Sequence, residues 1–219
     1  MAVANYHETY KCYPPPFIAD ADGKPMHSWR ILVLPFLERN DLYQQYRFNE
    51  PWDGPNNRKL ADQMPTQYAL HGCEKSGNVT TNYLRVVGDR TASPVGRTVS
   101  LADVVDGEAS TLFIVENVDS GVHWMEPRDL AVDSMNFEIG APNGISSWLE
   151  PPAALTLAGS VETIPNGTPP DVVRGLLTIA GGEVDAGKYL SEIDDGRKRL
   201  QKKGAPCGYS QLGIANKPK

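Results

Sequence analysis

Residues 28–38 read SWRILVLPFLE and form the densest apolar run in the first half of the chain. Ser28 is a favourable helix N-cap, because its hydroxyl can accept a hydrogen bond from an unpaired backbone N–H. The apolar residues that follow are too closely spaced for one exposed helix face, so the segment is expected to be buried on most sides. Pro35 disfavours helix at Leu34 and removes a donor. The sequence therefore predicts a buried helix that kinks or breaks before Pro35, with the rest of the chain arranged around it.

Helical patterns lie on both sides of this run. Residues 2–12 are predicted to be helical, with Val3, Tyr6 and Tyr10 on one face, until three consecutive prolines end the pattern. A second helix is predicted over residues 40–48. A nine- to eleven-residue helix is marginal by itself, so the first helix is expected to dock on the body or to be the end of something longer.

Short strands dominate the remainder of the chain. Ser100 and Asp103 resemble a capping box that starts one helical turn, and a helix is expected from Thr168 to a stop at Gly181 and Gly182. Grouping helices first and strands later favours an α+β fold with an antiparallel sheet, and 18 Pro and 20 Gly predict long loops. Strands are predicted at 80–87, 111–116 and 122–125, with a β-hairpin formed by 154–158 and 160–164.

The net charge differs between the main part of the chain and its C-terminal end. The formal net charge is −6, which argues against nucleic acid as the main partner. Residues 188–219 carry +5, which leaves −11 for residues 1–187. We therefore expect a globular domain over 1–187 and a basic tail over 188–219, which is partly disordered or, alternatively, a docking arm. No apolar run is long enough to span a membrane, and no signal sequence is visible.

Several side chains are weak candidates for ligands. Cys12, Cys73 and Cys207 fit no zinc spacing, and they form either one disulfide with a free thiol or three unpaired cysteines. Asp20 and Asp22 only begin a calcium-loop pattern, so no cofactor is predicted, with calcium as the alternative. Three further residues are low-ranking metal candidates, and three tryptophans are a candidate ligand or partner surface. They are His123, Glu116 and Asp129 for the metal, and Trp52, Trp124 and Trp148 for the surface.

The order of short motifs resembles the large bacterial family DUF1559, which is also called a solute-binding family. The resemblance covers about residues 4–185. It depends on the ordered series, because each piece by itself is unspecific. The pieces are NYHETY at 5–10, the run at 28–38, NEPWD at 49–53, TNY at 81–83, Asp106-Gly107, Val115-Glu116, Trp124 with Pro127 and Asp129, LLT at 176–178 and GGE at 181–183.

The resemblance implies a pseudopilin-like protein of type II secretion, with a pilin-like α+β head. Relatives begin with a prepilin-type leader and a long apolar helix, so residues 2–12 correspond to the end of that helix. The chain lacks the leader and the apolar half, as expected of a truncated form or a gene that starts late. The resemblance also implies a cell-envelope location, no enzymatic activity, and self-association or partners among other envelope proteins. The full-length form is expected to be membrane-anchored by the missing helix, with no membrane contact by the chain as given.

Two departures from the family weaken one part of this interpretation. Relatives carry a histidine before a hairpin whose turn reads Asp-Gly-Ser. This chain has ISSWLE at 145–150 and the turn Ala158-Gly159-Ser160. If those groups bind a cation or ligand in relatives, this chain is expected to lack that site.

The residues and the resemblance together leave three functions open. The first is a non-enzymatic head that assembles with copies of itself or with an envelope complex. The second is an extracellular solute- or glycan-binding module, which needs a concave pocket lined by Trp and acidic residues. The third is an uncharacterised hydrolase, which needs convergent titratable groups. His7 and His27 are expected to bond loop carbonyls rather than to catalyse, and no hydrolase elbow or nucleotide-binding loop is present.

Overall fold

The computed structural model describes residues 2–70, 72, 77–181 and 200–201. Its helices are short, and its strands are gathered mainly in one central sheet. The α-helices are α1 (Ala2–Tyr10), α2 (Trp29–Leu32), α3 (Asn40–Gln45) and α4 (Pro170–Leu176), with 3₁₀ turns at Leu34–Leu37, Asn57–Leu60, Thr66–Tyr68 and Leu101–Asp103. The strands are β1 (Phe17–Ala19), β2 (Pro25–Ser28), β3 (Tyr83–Val87), β4 (Leu112–Glu116), β5 (Leu130–Ala131), β6 (Leu149–Glu150), β7 (Ala153–Thr156), β8 (Val161–Thr163) and β9 (Leu200–Gln201).

The central sheet has five strands in the order β5-β3-β4-β7-β8. Strands β3, β4, β7 and β8 pair antiparallel, and Tyr83 lies opposite Glu116 in the β3–β4 register. The predicted α+β class is confirmed. The predicted antiparallel sheet is present as well, and β5 adds one parallel pairing with β3 at its edge. β1 and β2 form a separate hairpin.

Strand β4 is buried along its whole length, as a central strand covered on both faces must be. Its register with β7 shifts between Leu112 and Ile114. The bulge lets Phe113 and Ile114 both join the apolar cluster beside α1 and α2, whereas Leu112 and Val115 join the cluster beside α4. The sheet therefore separates two apolar layers, with the N-terminal helices on one side and α4 on the other.

The apolar run at 28–38 folds as predicted. The Ser28 hydroxyl accepts the N–H of Arg30 at 3.2 Å and caps α2. The helix ends at Leu32, and a 3₁₀ turn with Pro35 in its first positions follows. Every residue from Trp29 to Leu34 is buried, so this segment lies inside the molecule.

The first and third helices are shorter than predicted. Helix α1 ends at Tyr10, and its Val3 is 7% exposed, so its first turn is docked on the body. Helix α3 ends at Gln45, because the backbone of Tyr46 is already extended. Both helices contact the 3₁₀ turn Leu34–Leu37, which places the helical elements around the apolar run.

Two other sequence predictions are corrected. Residues 122–125 are not a strand, since only His123 forms an isolated bridge and the chain then turns to bury Trp124 and Met125. Thr168 does not cap α4, because the helix begins after an extended Pro169, and it ends at Leu176 rather than at the predicted glycines. The capping box of Ser100 and the β7–β8 hairpin are confirmed.

The predicted tail over 188–219 lies outside the described residues, apart from β9, which pairs with β6. Cys73 and Cys207 also lie outside them, so the two cysteine alternatives are not tested. None of the helices in the part of the chain that the structure describes has the length and apolar character needed to cross a membrane.

Candidate functional site

An apolar cavity of about 300 Å³ lies where α1, α2 and the central sheet meet. Three aromatic side chains contribute to its wall, namely Trp29, Tyr68 and Tyr83. The first turn of α1 reaches it through Ala2 and Val3. The remaining wall is mostly aliphatic and comes from Val33, Leu37, Ile114, Ala153, Ala154, Leu155 and Val161, with Gln67 and Glu116 as the polar members.

The cavity exists because the helices do not cover the whole of this sheet face. Alternation along β3, β4 and β7 points Tyr83, Glu116 and Leu155 to the same side. Val161 of the edge strand β8 is 68% exposed at the rim. A concave apolar surface therefore continues past the first turn of α1.

Glu116 is the charged residue of the described cavity wall. It is 3% exposed, and its Oε2 accepts the N–H of Ala153 at 2.9 Å. A carboxylate among apolar groups is costly unless hydrogen bonds or charges compensate it. Its position at the end of β4 places a hydrogen-bonded carboxyl group in a mostly apolar wall.

A buried ionic network holds the aromatic wall in place. The Arg30 guanidinium donates to Asp129 at 2.6 Å, with the two side chains 0% and 2% exposed. The Trp29 indole N–H donates to Asp129 Oδ2 at 3.1 Å, and the Arg85 backbone N–H donates to Oδ1 at 2.9 Å. The Tyr68 hydroxyl donates to the Arg30 carbonyl at 2.5 Å. Two of the three aromatic walls are therefore anchored by hydrogen bonds.

The buried side chain of Arg85 packs in the same region of the core. Its guanidinium carbon lies 4.2 Å from the Phe113 ring centroid, and its Nε donates to the Ser93 hydroxyl at 2.8 Å. Burial lowers the pKa of Arg85, and the nearby Asp129 acts in the opposite direction. The guanidinium also donates to the Ala92 carbonyl at 3.1 Å, so it is hydrogen-bonded although it is buried.

The three metal candidates do not converge. Asp129 belongs to the ionic network, and Glu116 lies in the cavity wall. His123 packs against Trp52, and its Nδ1 accepts the Met125 N–H at 3.2 Å, while burial lowers its pKa. Within the residues the structure describes, no three His, Cys, Asp or Glu side chains are placed to hold a metal ion.

The three tryptophans predicted as a surface do not form one. Trp124 is 0% exposed, and its indole N–H donates to the Ala61 carbonyl at 2.8 Å. Trp52 is half-buried against the main apolar cluster, whereas Trp148 packs beside Leu70 in a separate cluster. The tryptophan that does line the cavity is Trp29, which the sequence pattern assigned to the core.

The remaining candidates have local structural roles. Asp20 Oδ1 accepts the backbone N–H groups of Asp22 and Lys24, which closes a tight turn. His27 is 3% exposed with its Nδ1 2.9 Å from the Tyr46 hydroxyl, and burial lowers its pKa. His7 departs from expectation, because it stacks on Tyr13 and its Nε2 has no hydrogen-bond partner among the described residues.

Comparison with known proteins supports the family resemblance over the first part of the chain. The model of the family SBP_bac_10, described as "Protein of unknown function (DUF1559)", matches residues 1–85. The matched part includes the apolar run at 28–38 and the three aromatic residues of the cavity wall, Trp29, Tyr68 and Tyr83. No match was found among curated proteins or among solved structures.

Proposed function

We propose that this chain is a non-enzymatic, pseudopilin-like protein of the cell envelope whose head assembles with copies of itself or with other envelope proteins. The observation that carries the proposal is the position of α1. Its first turn lies against the sheet at the edge of an uncovered apolar surface. Exposed apolar patches often mark surfaces that pack against a partner.

Contacts along α1 favour a fixed docking of this helix. Val3 belongs to the main apolar cluster, and the Tyr6 ring lies 5.8 Å from the Phe36 ring in an edge-on contact. A helix of nine residues needs such packing to persist. The head therefore presents α1 in one orientation, which an assembly built from repeated copies requires.

The side chains available for catalysis favour a non-enzymatic role. His27, His123 and Asp129 each hydrogen-bond a structural partner in a different part of the fold. Acid–base catalysis needs such groups within hydrogen-bond reach of one reacting atom. The envelope location is proposed from the family resemblance.

Self-association of the full chain tests the assembly role. Sedimentation velocity from micromolar to millimolar protein is expected to show a reversible increase in mass. Val161→Lys places a charge at the exposed rim of the cavity and should weaken association at least tenfold. Val95 is a matched control, since it is 54% exposed and lies outside the cavity wall. Val95→Lys should associate like the unaltered protein, and a monomer at every concentration would refute self-assembly of the head.

One observation favours a second candidate function, binding of a small solute. The cavity is concave and combines aromatic rings with the Glu116 carboxylate. Ligand sites in proteins are usually of this kind, mostly apolar with few polar groups. In that case a ligand, rather than a second copy of the chain, would occupy the cavity beside α1.

A further inference from the structure

One edge of the central sheet lies beside the cavity. In the part of the chain that the structure describes, the edge strand β8 has a strand neighbour on one side only, which is β7. We infer that β8 accepts an added strand from another protein, an extended segment that carries a basic residue between two apolar residues. The inference rests on the proposed assembly role, in the form in which the partner is another protein, and it specifies the kind of segment that the head accepts.

The backbone groups of β8 that point outward are those of Val161 and Thr163. On the inner side, the Ile164 N–H donates to the Pro152 carbonyl at 2.8 Å. Hydrogen-bonded and non-hydrogen-bonded pairs alternate along an antiparallel ladder, so the backbone of Glu162 also faces β7. The N–H and C=O groups of Val161 and Thr163 therefore face away from β7. An open edge of this kind is a template for a further strand.

An added strand meets different surroundings on its two faces. Val161 lies opposite Leu155 and belongs to the cavity wall, and it is 68% exposed. Thr163 points to the same face as Val161, and Glu162 points to the opposite face, because side chains alternate along a strand. Residues of the partner that lie opposite Val161 and Thr163 extend the apolar wall of the cavity. Apolar side chains are therefore favoured at these two positions of the partner.

Glu162 selects a basic residue at the centre of the segment. Its side chain is half-buried and forms no ion pair or hydrogen bond within the residues that the structure describes. Toward an added strand it occupies a non-hydrogen-bonded position, where facing side chains are closest. Opposite charges at facing positions are favourable, and like charges are unfavourable. Two β8 strands paired antiparallel along their whole length would place Glu162 opposite its own copy, so this charge disfavours a second β8 strand as the partner.

Titration of the full chain with synthetic peptides, followed by NMR of the backbone amides, tests the inference. The probe is the peptide Ser-Thr-Val-Lys-Val-Thr-Ser with blocked ends, and its matched analogue has Glu in place of Lys. The amide signals of Val161 and Thr163 should shift most, because these groups gain hydrogen bonds. The Lys peptide should bind about fivefold more tightly than the Glu peptide, as expected of facing charges.

Methylation of single peptide nitrogens distinguishes strand addition from other modes of binding. The nitrogen of each Val donates toward β8 in the added strand, so methylation of either one should weaken binding about tenfold. The nitrogen of Lys points away from β8. A methyl group there is the matched control and should leave binding unchanged.

Charge reversal in the protein locates the contact. Glu162→Lys should reverse the preference, so that the Glu peptide binds more tightly than the Lys peptide. Glu138→Lys is the matched control, because it makes the same change of net charge at an exposed residue outside β8. This control should keep the preference for the Lys peptide. Circular dichroism and thermal melting show whether each variant is folded.

The possible failures are distinguishable. If no peptide binds the folded protein at millimolar concentration, or if methylation of Val leaves binding unchanged, strand addition at β8 is refuted. If the Lys and Glu peptides bind equally well, or if Glu162→Lys keeps the original preference, selection of a basic partner by Glu162 is refuted. Self-assembly of the head is measured separately by sedimentation velocity, so it does not depend on either result.

Discussion

Replacing Asp129 with Asn should lower the free energy of unfolding far more than the loss of one charge from an exposed ion pair would. Three donors converge on this carboxylate, from Arg30, from Trp29 and from the backbone of Arg85. Asn keeps the size and one acceptor oxygen, but it leaves the fully buried Arg30 guanidinium without its counter-ion. Removing one partner of a buried ion pair costs about 3–5 kcal/mol. We expect about 3 kcal/mol, because Arg30 keeps its hydrogen bonds to the Ser28 hydroxyl and the Tyr83 carbonyl.

Urea denaturation followed by tryptophan fluorescence measures this loss as a change in the free energy of unfolding at unchanged m-value. The control is Glu126→Gln, because Arg128 lies 2.6 Å from Glu126 but the two side chains are 51% and 24% exposed. That exposed pair should contribute less than about 1 kcal/mol. If Asp129→Asn costs no more than Glu126→Gln, the argument from burial is refuted.

Two further predictions concern a histidine and a glycine. Burial lowers the pKa of His27, so the unfolded chain takes up a proton near pH 6.5 before the folded state does. The free energy of unfolding should therefore be highest above about pH 6.5 and should decline below it. His27→Asn, which can still bond the Tyr46 hydroxyl, should reduce the slope of this free energy against pH. An unchanged slope would contradict His27 as the origin of the effect. Gly144→Ala should cost about 1–3 kcal/mol, because an added Cβ would overlap the carbonyl oxygen of Asn136. Gly167→Ala meets open space and should melt like the unaltered protein, and equal melting of both variants would show that the overlap is relieved cheaply.

Local signals in the sequence were sufficient for the apolar run and the elements next to it. A capping hydroxyl at Ser28 and a proline at position 35 act on residues within one turn, so their effects are fixed by short-range sterics and hydrogen bonds. The same holds for the Ser100 capping box and for the hairpin that joins β7 to β8. These are the predictions that the structure confirms most closely.

Pairings between distant residues were not predictable in this way. The parallel pairing of β5 with β3 brings Leu130 to Val86 across a long connection, and neither short segment carries a signal for direction. Asp129 was singled out as a possible metal ligand, but its partner Arg30 lies 99 residues away in the chain. A carboxylate in sequence does not show whether a cation, a metal or water will face it.

The cavity was only partly foreseeable. The solute-binding hypothesis requires a pocket lined by Trp and acidic residues, but the sequence predicts Glu116 only as a candidate metal ligand. The choice of tryptophan was wrong, because Trp124 fills the core and Trp29 borders the chamber. A void depends on what neighbouring elements fail to cover, which is a property of the assembled fold rather than of any stretch.

The ionic network and the cavity are parts of one arrangement. A buried ion pair is weak evidence for stability, since apolar groups of similar volume often replace it without loss. Here the pair does something apolar groups would not do, because Asp129 also accepts the indole N–H of Trp29 and so orients its ring. Polar groups that fix the walls of a chamber favour a surface kept open for a partner or ligand over a packing defect. Both proposed roles require that property, and the Val161→Lys experiment tests whether a second copy covers the cavity.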